Sequence, residues 1–181
     1  MTQSPLQAPS TLITAHANAD YDALGAMVAA SKLYPEAVLI LPGGNDRILR
    51  DFFMQSAALI FGFRSAKDVD LSAARTLVLV DTRQKSRISH VAAALDNPGL
   101  AIHIYDHHPA SADDLSGEVE HIEIWGAATS ILIREIRQRG LSLSREEATI
   151  MGLGIYEDTG SFQFPSTTPH DFAAAAFLCE Q

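Results

Sequence analysis

The 181-residue chain has one cysteine, Cys179, so it can form neither an internal disulfide nor a Cys-rich zinc site, and a reducing cytoplasm is its default setting. It has no apolar run long enough to span a bilayer, so no membrane partner is expected. The first ten residues, MTQSPLQAPS, lack both a basic n-region and an apolar h-region. No signal peptide is expected there, and residues 1–10 read as a flexible lead-in to a domain over 11–181. Positive charge is scarce: 13 Lys and Arg against 22 Asp and Glu leave a net charge of −9. Such a chain is a poor binder of nucleic acid through bulk electrostatics. If it handles phosphates, something other than its own side chains must supply positive charge. An apolar share of 47% argues against disorder and for one globular domain.

What the sequence does have is alternation. TLITA (11–15), AVLIL (37–41), TLVLV (76–80) and AIHIY (101–105) are short, continuous, apolar runs. Runs of this kind mark strands covered on both faces, as in parallel α/β sheets. VEHIEI (119–124) alternates and suits an edge strand. Helical spacing covers 22–34, stopping before Pro35, and 125–139, stopping before Gly140 as a C′ residue. Asn45 or Asp46 would cap a helix to about residue 58. Ser144 and Glu147 are spaced as a capping box, and Thr168-Pro169 reads as N-cap and N1 of a final helix through Leu178. The expected class is α/β, an open and mostly parallel sheet flanked by helices.

Polar clusters follow the ends of three of these strands. His16, Asn18, Asp20 and Asp22 follow the first, Asp81 to Arg83 the third run, and Asp106, His107 and His108 the fourth; Asp158 lies in the helical third. In open α/β sheets ligands bind at the carboxyl ends of strands, so the three strand-end clusters converge on one edge. Singly, each has an ordinary explanation: helix N-terminal acids, turn residues, a polar loop. Together, so many carboxylates in one cleft repel one another unless a cation is present. Carboxylates and imidazoles without thiolate suit Mn²⁺, Co²⁺, Mg²⁺ or Zn²⁺. The donors exceed what one ion needs, so two are expected. Two divalent ions would take the net charge from −9 to −5 and turn an acidic cleft into a phosphate site.

These residues also carry a family resemblance. His16-Ala17-Asn18-Ala19-Asp20-Tyr21-Asp22 resembles the first motif of the DHH phosphoesterases, and Leu79-Val80-Asp81-Thr82 the second. Asp106-His107-His108-Pro109 is similar to the signature that names the family. Asp158-Thr159-Gly160-Ser161-Phe162 is similar to the fourth motif, with Trp125 to Ser130 a further family-like segment before it. The motifs occur in family order from Ile13 to about Thr168. The resemblance implies a Rossmann-like fold and two divalent ions, Mn²⁺ first, with Mg²⁺ or Co²⁺ as alternatives. It implies that His16 and Asp20 hold one ion and Asp22 and His107 the other, while Asp81 and Asp158 serve both, with Asp81 as the bridge. His108 would face the substrate phosphate, Asp106 would orient a histidine, and Asn18 would sit at the rim. The catalytic set is therefore Asp81, Asp106 and His108; the substrate contacts are His108, Asn18 and Arg83.

Two positions depart from the family pattern: Ala19 and Tyr21 stand where Pro and Gly are usual. Neither is a ligand, although Tyr21 would narrow the entrance. The fourth motif looks closer to RecJ and nanoRNases than to pyrophosphatases. The stretch from Asp81 to Arg87 is similar to DHH domains fused in front of CBS and tRNA nucleotidyltransferase or poly(A) polymerase domains. The chain has no Gly-rich GGGH-like stretch, so a C-terminal substrate-binding domain is not expected within it, and it reads as the first part of a longer protein.

The activity implied is hydrolysis of phosphodiester bonds in short oligonucleotides or small nucleotides by a two-metal-activated water. The alternatives are a nucleotide-, metal- or RNA-binding module within a tRNA nucleotidyltransferase–poly(A) polymerase protein, and an inorganic pyrophosphatase. The partner is a phosphorylated small molecule or short oligonucleotide, with RNA reached through domains outside this chain. Arg83, Lys85 and Arg87 are candidates for contact with a nucleic-acid backbone, and Gly43-Gly44-Asn45 for a phosphate cradle, each against the plainer reading of a solvated turn. His103 reads as structural, and His90, His121 and His170 as exposed or capping residues.

Overall fold

A computed structural model describes residues 8–42, 56 and 59–181. Among the described residues five strands form one sheet in the order β2-β1-β3-β4-β5, with every neighbouring pair parallel. They are β1 (Thr11–Thr14), β2 (Val38–Leu39), β3 (Thr76–Val80), β4 (Ala101–Asp106) and β5 (Val119–Ile122). The helices are α1 (Tyr21–Leu33), a single-turn α2 (Ala92–Leu95), α3 (Ala128–Gln138), α4 (Arg145–Asp158) and α5 (Pro169–Cys179). The expected open parallel α/β sheet is thus present.

The strands read as unbroken apolar runs because both faces are covered. Along β3, Val78 and Val80 join a cluster with α1, α3 and α4, while Leu77 and Leu79 join a second with Ile88, Val91 and Ala94 on the opposite face. Successive side chains point to opposite faces, so a run buried on both needs no polar residue. After β1 the chain goes to β2 on one side, and β3, β4 and β5 follow on the other. The order reverses between β1 and β3, where a crevice opens at the carboxyl ends of the strands.

Several boundaries differ from the sequence reading. The second run keeps ladder pairing only at Val38–Leu39, with Ile40 in an isolated bridge to Arg64. The helix expected from Trp125 begins at Ala128, because residues 125–127 are drawn into the site described below. The helix expected to about residue 58 and the Gly43-Gly44-Asn45 cradle lie almost wholly outside the described residues, as do residues 1–7 of the lead-in. Other local signals hold. Gly140 ends α3 with φ +62, the Ser144–Glu147 capping box is formed, and Thr168 and Pro169 stand as N-cap and N1 of α5, where Asp171 closes a further capping box.

One packing detail brings two distant motifs together. A Cβ on Gly154 would lie 2.8 Å from the Tyr21 carbonyl oxygen and 3.0 Å from the Asp22 Cα. Only a residue without a Cβ allows α4 to lie this close to the start of α1. That contact sets Asp22, in the first turn of α1, near Asp158, at the end of α4.

Candidate metal centre

β1 ends in a loop that carries His16 and Asp20 over the crevice. Asp20 is the N-cap of α1, its Oδ1 accepting from Ala23 N at 3.0 Å, so the capping reading and the site reading hold together. Asp22 points inward, 1% exposed, and the first turn of α3 receives it: Ala128 N donates to Oδ2 at 2.7 Å and Thr129 N to Oδ1 at 3.0 Å. A carboxylate at a helix N-terminus is favoured by the orphan N–H groups and the dipole.

Asp81 caps the end of β3 with φ +55. Asp tolerates this left-handed conformation better than most residues, and a strained residue at a crevice points to function. Its two carboxylate oxygens look opposite ways. Oδ2 lies 3.0 Å from His16 Nε2, while Oδ1 lies 3.2 Å from His107 Nε2 and 3.7 Å from His108 Nδ1. On the first side, His16 Nε2 is also 3.7 Å from Asp20 Oδ2. On the second, His107 Nε2 is 3.2 Å from Asp158 Oδ2 and 4.0 Å from Asp22 Oδ2. His16, Asp20 and Asp81 form one group whose ligand atoms lie within 4.8 Å of one another, and Asp22, His107 and Asp158 form another.

The histidines are aimed from behind. His107 Nδ1 lies 3.1 Å from the Trp125 carbonyl oxygen. A carbonyl only accepts, so Nδ1 carries the proton and Nε2 is turned to the carboxylates. That Nε2 is buried and makes no aligned hydrogen bond despite its acidic neighbours, which suits a cation at its lone pair. Asp106, 1% exposed, accepts from His108 Nδ1 at 2.8 Å through Oδ1 and leaves His108 Nε2 facing outward. Sequence reasoning did not anticipate Trp125 as a carbonyl acceptor that aims His107, because a backbone acceptor leaves no mark on residue type.

The electrostatics of the crevice favour positive charge. Burial pushes Asp22 well above the usual carboxylate range, and the nearby charge of Asp81 adds to this. Burial also raises Asp158, to about 6, with Asp81 and Asp20 adding to the rise and His107 opposing it. For His16, burial works against the charged ring, yet Asp20 and Asp81 raise its pKa to about 9. His107 is likewise lifted against burial, to about 10, by Asp81, Asp22 and Asp158. Protons thus hold the carboxylates together where a divalent cation could. The donor set, the two outward-facing oxygens of Asp81 and the unaligned His107 Nε2 fit a pair of hard or borderline divalent ions.

Two expected substrate contacts fare differently. Asn18 is exposed on the loop after β1. Arg83 is not free: it is 5% exposed, and its guanidinium is taken up by Asp106, Asp114 and the His108 carbonyl. It follows a strand end and turns into the protein, so the expectation of a substrate contact there is corrected.

Of the remaining histidines, His103 is structural, with Nδ1 2.7 Å from the Tyr34 hydroxyl. His90 meets Thr14 Oγ1 at 2.7 Å, and His121 stacks on Tyr105, so neither is the exposed or capping residue expected. His170 is exposed and stacks on Trp125. Phe162 packs against Phe172 and Tyr156.

Comparison with known proteins finds relatives in sequence and in fold. Residues 10–155 match the model of the DHH family, N-terminal domain. The chain is 47% identical over 170 residues to an A-adding tRNA nucleotidyltransferase of Geobacter sulfurreducens, covering 94% of this chain and 19% of that protein. It is 28% identical over 172 residues to a probable bifunctional oligoribonuclease and PAP phosphatase NrnA of Streptococcus mutans, covering 92% of this chain and 51% of that one. The crystal structure of a putative family II inorganic pyrophosphatase from Methanococcus jannaschii superposes with a TM-score of 0.71 at 18% identity, over 94% of this chain and 55% of that one. The chain therefore spans about half or less of each of these proteins.

Proposed function

This chain belongs to the DHH family, and on that footing we propose that it is a metal-dependent phosphoesterase domain that hydrolyses phosphodiester bonds in short oligonucleotides or small nucleotides. The observation that carries the reading is the carboxylate of Asp81, which presents one oxygen to His16 and the other to His107. Such a group suits a bridge between two cations. His16, Asp20 and Asp81 would hold one ion, and Asp22, His107, Asp158 and Asp81 the other, with Mn²⁺ the first choice and Mg²⁺ or Co²⁺ as substitutes. When bound, such a pair polarises phosphoryl oxygens and lowers the pKa of a water.

The remaining work falls to the chain. Trp125 O holds His107 in the tautomer that faces the carboxylates. Asp106 holds Nδ1 of His108, so His108 Nε2 is presented to a phosphoryl oxygen and stabilises charge that grows there. Asn18, exposed at the rim, meets the substrate beyond the reacting phosphate. Thr129 and Ala128 keep Asp22 fixed through their backbone N–H groups, which limits the rearrangement the site needs during turnover.

A second reading is favoured by one finding, the 47% identity to part of an A-adding tRNA nucleotidyltransferase. On that reading the domain binds nucleotide, metal or RNA for a larger protein without hydrolysing anything. Three substrates separate the possibilities when offered to this chain with Mn²⁺: the dinucleotide pApA, bis(p-nitrophenyl) phosphate and pyrophosphate. Diester cleavage that is lost in Asp81→Asn supports the phosphoesterase. Metal binding without turnover of any substrate overturns it in favour of the binding module. Turnover of pyrophosphate alone overturns it in favour of a pyrophosphatase.

A further inference from the structure

Arg83 is buried near the site and its guanidinium is engaged by three partners. Its Nε donates to Asp114 Oδ2 at 2.8 Å, and its Nη1 donates both to Asp106 Oδ2 and to the His108 carbonyl at 3.0 Å. Asp106 thus has one oxygen on Arg83, while the other accepts from His107 N at 3.0 Å and His108 Nδ1 at 2.8 Å. The far end of the chain of contacts is anchored as well. Asp114 Oδ2 also accepts from Ser111 N at 2.8 Å, and Leu115 N donates to the Arg83 carbonyl at 2.8 Å. The segment 111–115 is in this way tied to the segment that follows β3.

We propose that Arg83, anchored by Asp114, is a positioning residue that fixes the Asp106 carboxylate and through it the orientation of the His108 imidazole toward the substrate phosphate. The carboxylate torsion of an Asp is soft, so Asp106 alone could turn and take His108 with it. A planar guanidinium with several fixed donors removes that freedom; a lysine ammonium, a single flexible point of charge, does not. The proposal rests on the phosphoesterase reading of the same centre.

The test uses Arg83→Lys and Asp114→Asn, each alone and each combined with His108→Ala, with Mn²⁺ and bis(p-nitrophenyl) phosphate. The single variants should lose about 10–100-fold in kcat, the range seen when the partners that orient a metal-bound histidine are disturbed and taken here for a histidine oriented in the same way toward substrate, with KM and bound Mn²⁺ little changed. In the His108→Ala background they should cost nothing further, because they act through that ring. Undiminished turnover, a loss that multiplies on top of His108→Ala, or loss of Mn²⁺ binding would overturn the proposal. Asp114→Asn keeps the test decisive if Arg83→Lys does not fold. If the wild-type chain cleaves no diester, the functional reading fails while the clamp remains open to measurement by NMR. The His108 Nδ1 proton should exchange slowly in the wild type and fast in Asp114→Asn; equal exchange in both overturns the clamp.

Discussion

The dual role proposed for Asp81 makes a quantitative prediction. If its two oxygens serve two ions, one substitution must cripple both sites, whereas Asp20→Asn must weaken only one. An ion at about a hundred times its dissociation constant stabilises the folded state by roughly 2.7 kcal/mol per site, so two add about 5.4 kcal/mol. For a chain of this length each kcal/mol moves Tm by roughly 2–4 °C, so saturating metal should raise Tm by about 11–22 °C in the wild type and about 5–11 °C in a single-site variant. Asp81→Asn is the right perturbation because φ is +55 at this position and Asn tolerates the left-handed region that Ala would resist. It keeps the shape and removes the charge and one acceptor. The assay is differential scanning calorimetry of each variant with and without Mn²⁺, and the quantity compared is the metal-induced shift, so any change in metal-free stability cancels. Asp81→Asn should show almost no shift and Asp20→Asn about half the wild-type shift. A half-sized shift in Asp81→Asn, equal to that of Asp20→Asn, would refute the shared carboxylate.

Metal loading should release protons at neutral pH, because His16 and His107 titrate at about 9 and 10 in the metal-free protein and must lose their protons to bind. Affinity should therefore rise with pH from 6 to 9; calorimetry in buffers of different ionisation enthalpy reads the release, and a buffer-independent heat at pH 7 contradicts it. Those same raised values stabilise the metal-free fold below about 6.5 and are lost as pH rises through 9 and 10, so metal-free Tm should decline on that alkaline side. His90 works in the other direction: burial lowers it to about 4, so the unfolded chain takes up the proton first and stability is lost as pH falls from about 6.5 toward 4. His90→Gln should flatten the acid limb of a Tm–pH plot, and an unchanged limb counts against that assignment. Gly154→Ala puts a Cβ 2.8 Å from the Tyr21 carbonyl oxygen, and should cost about 1–3 kcal/mol in urea unfolding while weakening metal binding through Asp22 and Asp158; full wild-type stability would show that α4 can move away freely.

The sequence by itself determined the strand runs, the helix caps and most of the acidic and imidazole side chains that gather in the crevice. Continuous apolar runs specify strands buried on both faces, and residues such as Ser144, Gly140 and Thr168 act through their nearest neighbours, so their effects are local and readable. His16, Asp20, Asp81 and His107 could be placed together because chain order puts them at the carboxyl ends of parallel strands, and parallel strands share an edge. Only the tertiary structure decided what long-range packing controls. Asp22 is gripped by Ala128 and Thr129 across more than a hundred residues, and α1 meets α4 closely because Gly154 has no Cβ. Trp125 acts through a carbonyl that every residue type possesses. Arg83 looked like a surface cation and is instead buried and paired, because the direction of a long side chain depends on the carboxylates the fold brings near it, here Asp106 and Asp114, which its own neighbourhood in the sequence does not contain.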